Sequence, residues 1–122
     1  MARTSCRSSS SAGPTEWENY NSWYSPNTIA PSVRDKPTLR KFSLLPLAKN
    51  LKHPLLLVHG MEDPNVLYQD TVHIYKALLE AGKETLVELF LDPEGSHGLG
   101  GIVFDKARYK KFEEFFLRHL VK

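Results

Sequence analysis

Four consecutive apolar residues, Leu55 to Val58, end abruptly at His59-Gly60, and this run constrains the fold more than any other feature of the sequence. A strand with one solvated face alternates apolar and polar side chains, whereas a strand covered on both faces has an unbroken apolar run. We therefore expect these residues to form a strand inside a parallel sheet, with helices packed against both faces of that sheet.

Helical and strand patterns alternate after this run. Residues 66–81 predict an amphipathic helix with apolar positions Val72, Tyr75, Leu78 and Leu79. Gly82 is the expected C′ residue of that helix, and residues 85–91 predict a second strand. Residues 105–121 predict a closing helix with an apolar stripe formed by Tyr109, Phe112, Phe115, Phe116 and Leu120. This order predicts an α/β fold whose parallel strands are joined by a right-handed crossover.

Composition limits the classes of function. The 122 residues are 41% hydrophobic, and the net charge of +2 comes from interspersed charges without a basic block. We therefore expect no nucleic-acid partner and no anionic membrane surface as a partner. No apolar stretch approaches the ~18 residues of a membrane span. The single cysteine, Cys6, excludes an intramolecular disulfide, and the compartment stays open, with the cytoplasm slightly favoured.

The amino-terminal third has two parts. Residues 1–13 are rich in serine and arginine, contain no acidic residue and have no secretory h-region, so we expect a disordered leader. Residues 14–37 combine four prolines with a dense group of aromatic residues, which predicts a segment that packs over a surface or lines a pocket. The domain is therefore expected to span residues 14–122.

Two polar residues, Asp63 and His97, each follow a predicted strand at the same edge of the sheet. Sites of α/β proteins form at the carboxyl ends of strands, so the two loops can bring these residues together. An Asp that accepts a hydrogen bond from one imidazole nitrogen leaves the other nitrogen to act as a general base. Spacing alone is equally consistent with two ordinary loop residues. His59 is expected to be structural, and the scattered histidines predict neither a metal site nor a cofactor.

Two stretches, "PLLLVHGMEDPNV" and "YKALLEAGKETLVELFLDPEGSHG", carry a family resemblance. They resemble the C-terminal end of the catalytic domain of serine peptidases of the prolyl oligopeptidase family, and in particular its dipeptidyl peptidase IV and acylaminoacyl peptidase branches. The resemblance implies the C-terminal portion of an α/β-hydrolase fold, with an incomplete sheet. It places Asp63 and His97 at the Asp and His of a Ser, Asp, His triad.

A third stretch, "WENYNSWY", is similar to an aromatic segment of the same family. The resemblance implies that Trp17 and Tyr20 line the pocket for the residue before the scissile bond, and that Tyr24 matches the second family Tyr. It also implies that Asn65 holds the substrate backbone and that Val66 forms part of a pocket wall. The implied ligand of these residues is a peptide substrate.

The sequence departs from the family pattern at the nucleophile. The family carries its serine in a Gly-x-Ser-x-Gly elbow. No serine of this chain has glycine both two positions before it and two positions after it. We therefore expect a fragment that carries the triad Asp and His and is inactive alone. Two alternatives remain open at this point, a fragment of an esterase or lipase with the same fold and a non-catalytic peptide-binding module.

A missing neighbour has a physical consequence for the first predicted strand. If nothing upstream pairs with Leu55 to Val58, one edge of a buried strand is exposed, and exposed edges pair with other chains. We therefore expect self-association into a homo-oligomer through that edge, or poor folding.

Overall fold

Three parallel strands form a sheet in the part of the chain that the structure describes. The computed structural model describes residues 8–11 and 40–120. Within these residues the strands are β1 (Ser8–Ser11), β2 (Leu55–Gly60) and β3 (Val87–Asp92), in the order β1-β2-β3. Both strand pairs are parallel, which confirms the predicted orientation of the strands.

Three helical elements accompany the described strands. A 3₁₀ helix, Leu45–Asn50, precedes β2, the helix α1 (Tyr68–Glu80) connects β2 to β3, and the helix α2 (Ile102–Leu120) follows β3. The predicted alternation of strands and helices is thus confirmed. None of the helices in residues 40–120 combines the length and the apolar character that crossing a membrane requires.

The prediction of a disordered leader is wrong for residues 8–11, because they form β1. This strand pairs with β2 in register, from Ser8 opposite Leu55 to Ser11 opposite Val58. A serine-rich composition indicates only that few apolar side chains are available for burial. A strand ladder is made by backbone N–H and C=O groups, which every serine has. Residues 1–7, 12 and 13 lie outside the described residues.

This pairing also corrects the expectation of an exposed edge on β2. Within the described sheet β2 is the central strand, with β1 on one side and β3 on the other. The proposed cause of self-association, a free edge on β2, is therefore wrong. Self-association itself stays a prediction, without that cause.

The unbroken apolar run of β2 is explained by burial on both faces of the sheet. One face packs on α1 and the 3₁₀ helix through the buried residues Ala48, Leu57, Ile74, Leu78 and Val87. The other face packs on α2, where Leu56, Val58 and Phe115 form a second core. Side chains alternate along a strand, so Leu56 and Val58 face one way while Leu57 and His59 face the other.

The helix α1 ends where the sequence predicts, but its buried face is slightly rotated relative to the predicted one. Gly82 has a φ of +68°, and the N–H of Lys83 donates to the carbonyl of Leu78, so the helix ends in a Schellman motif with Gly82 at C′. The buried positions are Asp70, Thr71, Ile74 and Leu78. Leu79, which was expected on the buried face, is exposed. The rotation brings the polar side chain of Thr71 under the sheet.

The helix α2 begins one turn before the predicted start, since Asp105 N–H donates to Gly101 O. The predicted stripe is also too broad, because Tyr109 is 63% exposed and Leu120 is 52% exposed, whereas Phe115 is fully buried. At about 100° per residue, Tyr109 and Leu120 lie about 120° and 140° around the helix from Phe115. Only a narrow face of α2 reaches the sheet.

Ion pairs reinforce the contact between α2 and β3. Glu88 on β3 lies 2.7 Å from Lys111 Nζ and 2.6 Å from Arg118 Nη2. Burial alone would raise the pKa of Glu88, but hydrogen bonds and charges from Arg118 and Lys111 outweigh burial and hold this pKa below its ordinary value. These groups are partly exposed, and such pairs contribute about 0–1 kcal/mol each. The burial of Phe115 is therefore the larger stabilising term.

Replacing Phe115 with Ala tests this ranking. We expect Phe115→Ala to lower the free energy of unfolding by about 3–5 kcal/mol, because it empties the core between α2 and the sheet. Urea unfolding measures the difference. The matched control is Leu117→Ala on the same helix, where 53% exposure predicts a change within about 0.5 kcal/mol. Equal losses in the two variants would contradict the assignment of the core.

Candidate active site

The strand register brings two loops together at one edge of the sheet. Gly60 and Asp92 are paired residues at the carboxyl ends of β2 and β3. The ladder continues beyond them, since Met61 N–H donates to Asp92 O at 2.8 Å and Glu62 N–H donates to Gly95 O at 2.9 Å. The loop after β2 and the loop after β3 therefore run side by side.

This contact between the loops depends on Gly60 having no side chain. A Cβ at position 60 would lie 2.3 Å from Gly95 O and 2.5 Å from Ser96 O, both backbone atoms that cannot rotate away. Glycine is the one residue that allows so close an approach of two backbones. The residue that follows Ser96 is His97, so Gly60 sets the distance between the His97 loop and the end of β2.

Asp63 is held by its own loop. Its Oδ1 accepts hydrogen bonds from Asn65 N–H at 2.8 Å and from Val66 N–H at 2.9 Å, which is the pattern of an Asx turn. Its side chain is fully buried. The other carboxylate oxygen, Oδ2, lies 2.9 Å from His97 Nδ1. The predicted meeting of Asp63 and His97 therefore occurs in the structure.

Hydrogen bonds keep Asp63 ionised in spite of its burial. Burial alone would raise the pKa of this carboxyl, since it disfavours the charged form. The hydrogen bonds from Val66, His97 and Asn65, together with the charge of His97, outweigh that effect and hold the pKa of Asp63 below its ordinary value. Asp63 is thus ionised, and its carboxylate accepts a hydrogen bond from the imidazole of His97.

The contact with Asp63 determines the tautomer of His97. With an ionised Asp63 as the acceptor, His97 Nδ1 carries the proton and donates it, so Nε2 holds a lone pair in the neutral ring. The His97 side chain is 48% exposed, in contrast to its fully buried partner. This arrangement suits a group that takes a proton from an incoming hydroxyl.

His59 lies beneath Asp63 and is fully buried. Its Nδ1 is 2.6 Å from Thr71 Oγ1, and its Nε2 is 2.8 Å from Val66 O and 3.3 Å from Asp63 Oδ2. The structural role expected for His59 agrees with this burial. Sequence reasoning missed its contact with Asp63, because the contact depends on the geometry of the turn between the two residues.

Of the five residues predicted to bind substrate, the structure describes Asn65 and Val66. The backbone N–H groups of Asn65 and Val66 hold Asp63, the Asn65 side chain is exposed and Val66 is buried. Trp17, Tyr20 and Tyr24 lie outside the described residues. Roles in substrate binding stay predictions for all five. Among the residues that the structure describes, no group of three potential metal ligands is clustered.

Comparison with known proteins gives a consistent result. Residues 8–122 match the Prolyl oligopeptidase family. Dipeptidyl peptidase 4 of Bos taurus is 29% identical over 104 residues, which are 83% of this chain and 13% of that protein. The chain thus spans a small part of the length of the curated relatives it matches.

Solved structures of similar shape belong to the same group of enzymes. Acylaminoacyl peptidase of Pyrococcus horikoshii matches with a TM-score of 0.80 and 32% identity, over 93% of this chain and 20% of that chain. Dipeptidyl peptidase 4 of Porphyromonas gingivalis matches with a TM-score of 0.78 over 92% of this chain and 16% of that chain, and its 24% identity shows the fold alone.

These neighbours are serine peptidases with an α/β-hydrolase fold, and the described strands and helices are part of that fold. The chain belongs to the prolyl oligopeptidase family. The resemblance found in the sequence and the fold class it implied are both confirmed.

The close approach at Gly60 generates a testable prediction. Gly60→Ala should destabilise the protein by about 1–3 kcal/mol, because the added methyl group must displace the backbone of the His97 loop. The displacement should also break the contact between Asp63 and His97, which is visible as loss of the His97 Nδ1–H proton signal in NMR spectra. Gly98→Ala is the matched control in the same loop, since its Cβ would have no described heavy atom within 4 Å. If both variants keep the signal, Gly60 does not set the loop distance.

The lowered pKa of Asp63 predicts a pH dependence of stability. The folded pKa lies below the unfolded value of about 3.9, so ionised Asp63 stabilises the fold above that value. This stabilisation is lost as the pH falls through the folded pKa. In urea unfolding, Asp63→Asn should therefore have a lower free energy of unfolding than the parent at neutral pH. The difference between the two free energies should shrink below about pH 4. Glu84→Gln, at an exposed position, is the control. A stability difference between Asp63→Asn and the parent that does not change with pH would contradict the prediction.

Proposed function

We propose that this chain supplies the acid–base pair of a serine peptidase, with His97 as the general base and Asp63 as the residue that orients it. The observation that carries the proposal is the 2.9 Å contact between Asp63 Oδ2 and His97 Nδ1 at the carboxyl edge of the sheet. The ionised carboxylate is buried, and the imidazole that it orients is half exposed.

The chemistry follows from this geometry. His97 Nε2 takes the proton from a serine hydroxyl as the serine Oγ bonds to the carbonyl carbon of a peptide. The buried carboxylate of Asp63 stabilises the imidazolium that forms. The same Nε2 then gives the proton to the leaving amine, the C–N bond breaks and an acyl-enzyme remains. Water attacks the acyl-enzyme with His97 again as the base.

In this proposal the nucleophile comes from outside the 122 residues. No serine of the chain stands in a Gly-x-Ser-x-Gly elbow. The chain spans 13% of its bovine relative and 20% of the similar archaeal peptidase, so a longer polypeptide or a second fragment has room to supply the serine and the oxyanion hole. Residues 8–122 then act as one segment of a larger catalytic domain, starting at β1, and have little activity alone.

The proposed substrate is a peptide. Family resemblance supports Trp17, Tyr20 and Tyr24 as the pocket for the residue before the scissile bond, and Asn65 and Val66 as neighbours of the substrate backbone and side chain. Asn65 directly follows the Asp63 loop turn and has an exposed side chain, which suits contact with a substrate next to the catalytic pair.

A chimeric enzyme tests the proposal. Residues 8–122 replace the corresponding segment of the Pyrococcus horikoshii acylaminoacyl peptidase, which supplies a serine elbow. We expect the chimera to cleave peptide substrates and to be labelled by a fluorophosphonate. Asp63→Asn should lower kcat about 10⁴-fold and His97→Ala about 10⁶-fold, since both remove parts of the triad. The 122-residue chain alone should show no adduct in its intact mass.

His53→Ala is the matched control for His97→Ala, because His53 is exposed and precedes the opposite end of β2. A folded chimera in which His97→Ala and His53→Ala have equal activity would contradict the role of His97. An adduct on the 122-residue chain that disappears in His97→Ala would show that the serine lies within this chain. Turnover of short-chain esters without turnover of peptides would favour an esterase.

A further inference from the structure

A second imidazole contacts the carboxylate of the Asp63–His97 pair. His59 is fully buried, and its side chain faces the α1 side of the sheet, where Thr71 lies. Its Nε2 is within 3.3 Å of Asp63 Oδ2, the same oxygen that His97 contacts. Oδ2 therefore lies close to two imidazole nitrogens, one from the end of β2 and the other from the loop after β3.

The surroundings of His59 determine where its ring proton lies. Nε2 faces two acceptors, the carbonyl oxygen of Val66 at 2.8 Å and Asp63 Oδ2 at 3.3 Å, and a carbonyl has no proton to give. Nε2 must therefore carry the proton. In the neutral ring Nδ1 is then the acceptor, and the hydroxyl of Thr71 donates to it at 2.6 Å. In this tautomer Nε2–H donates to Val66 O, and Asp63 Oδ2 lies 3.3 Å from the same nitrogen.

We propose that His59 is a positioning residue for the catalytic pair. Its buried Nε2–H group, 3.3 Å from Asp63 Oδ2, attracts this oxygen and holds it in line with His97 Nδ1. The inference rests on the proposed function, because it gives His59 a part in orienting the general base. Oδ1 is already held by Asn65 N–H and Val66 N–H. His59 fixes the remaining oxygen, so that the carboxylate has no freedom to turn about the Oδ1 contacts.

A purely structural His59 would behave differently. A buried ring that only fills space and joins β2 to α1 affects the stability of the fold, and its loss leaves the hydrogen bond of His97 unchanged in the molecules that stay folded. A positioning His59 affects the proton distribution of His97, because a displaced Oδ2 no longer selects the Nδ1–H tautomer. The tautomer of His97 in the folded protein therefore separates the two roles.

The test is NMR on the full 122-residue chain with ¹⁵N-labelled histidine at about pH 9, where ordinary imidazoles are neutral. In the parent protein we expect His97 as the Nδ1–H tautomer and His59 as the Nε2–H tautomer. In His59→Leu we expect the ratio of Nδ1–H to Nε2–H in His97 to fall about two- to tenfold, the effect of one net hydrogen bond. His59→Gln, which keeps an N–H donor, should restore the ratio.

Each outcome decides between the hypotheses. A folded His59→Leu with an unchanged or increased proportion of Nδ1–H in His97 overturns the positioning role, and so does a His59→Gln variant that matches His59→Leu. If His59→Leu does not fold, the parent protein decides, since His59 found as Nδ1–H would have no proton to donate to Asp63, whereas Nε2–H supports the role. A parent protein in which His97 itself lacks the Nδ1–H tautomer contradicts the proposed function, independently of His59.

Discussion

The backbone contact between Gly60 and the Gly95–Ser96 peptide is the constraint on which the site depends. Parallel pairing of β2 and β3 brings two loops to the same edge, but pairing alone does not fix how closely they approach. The missing side chain at Gly60 lets the second loop lie directly on the end of β2. Because of this approach, His97 comes within hydrogen-bond distance of Asp63, and the buried carboxylate has a partner for its negative charge.

Burial of β2 on both faces connects the core with the chemistry. Leu56 and Val58 anchor α2, while Leu57 and His59 face α1, so the same alternation that builds two apolar layers also directs a polar ring inward at the strand end. A buried imidazole needs partners for both nitrogens. Thr71 and Val66 supply them, and Asp63 Oδ2 lies 3.3 Å from Nε2. The rigid part of the site is therefore continuous with the hydrophobic core.

The sequence predicted the elements whose signals are strong and local. The apolar run of β2, the Gly82 helix end and the placement of Asp63 and His97 at strand ends all follow from periodicity and from the rule that sites form at carboxyl ends of strands. The strand β1 was missed because its serines have a composition typical of disorder, while pairing uses only the backbone. The contact between His59 and Asp63 depends on a turn whose geometry no periodicity encodes.

The hydrogen bonds of Asp63 all arise within a short, continuous part of the chain. Its donors lie in the turn after β2 and in the loop after β3, and the His59 contact comes from the end of β2, so one strand–helix–strand unit contains these contacts. The conformational entropy lost in forming the site is therefore that of closing one modest loop, and this loss grows only slowly with loop length. In terms of contact order, the contact between Asp63 and His97 spans 34 residues, and in the proposed peptidase a serine supplied from elsewhere adds contacts of still longer range.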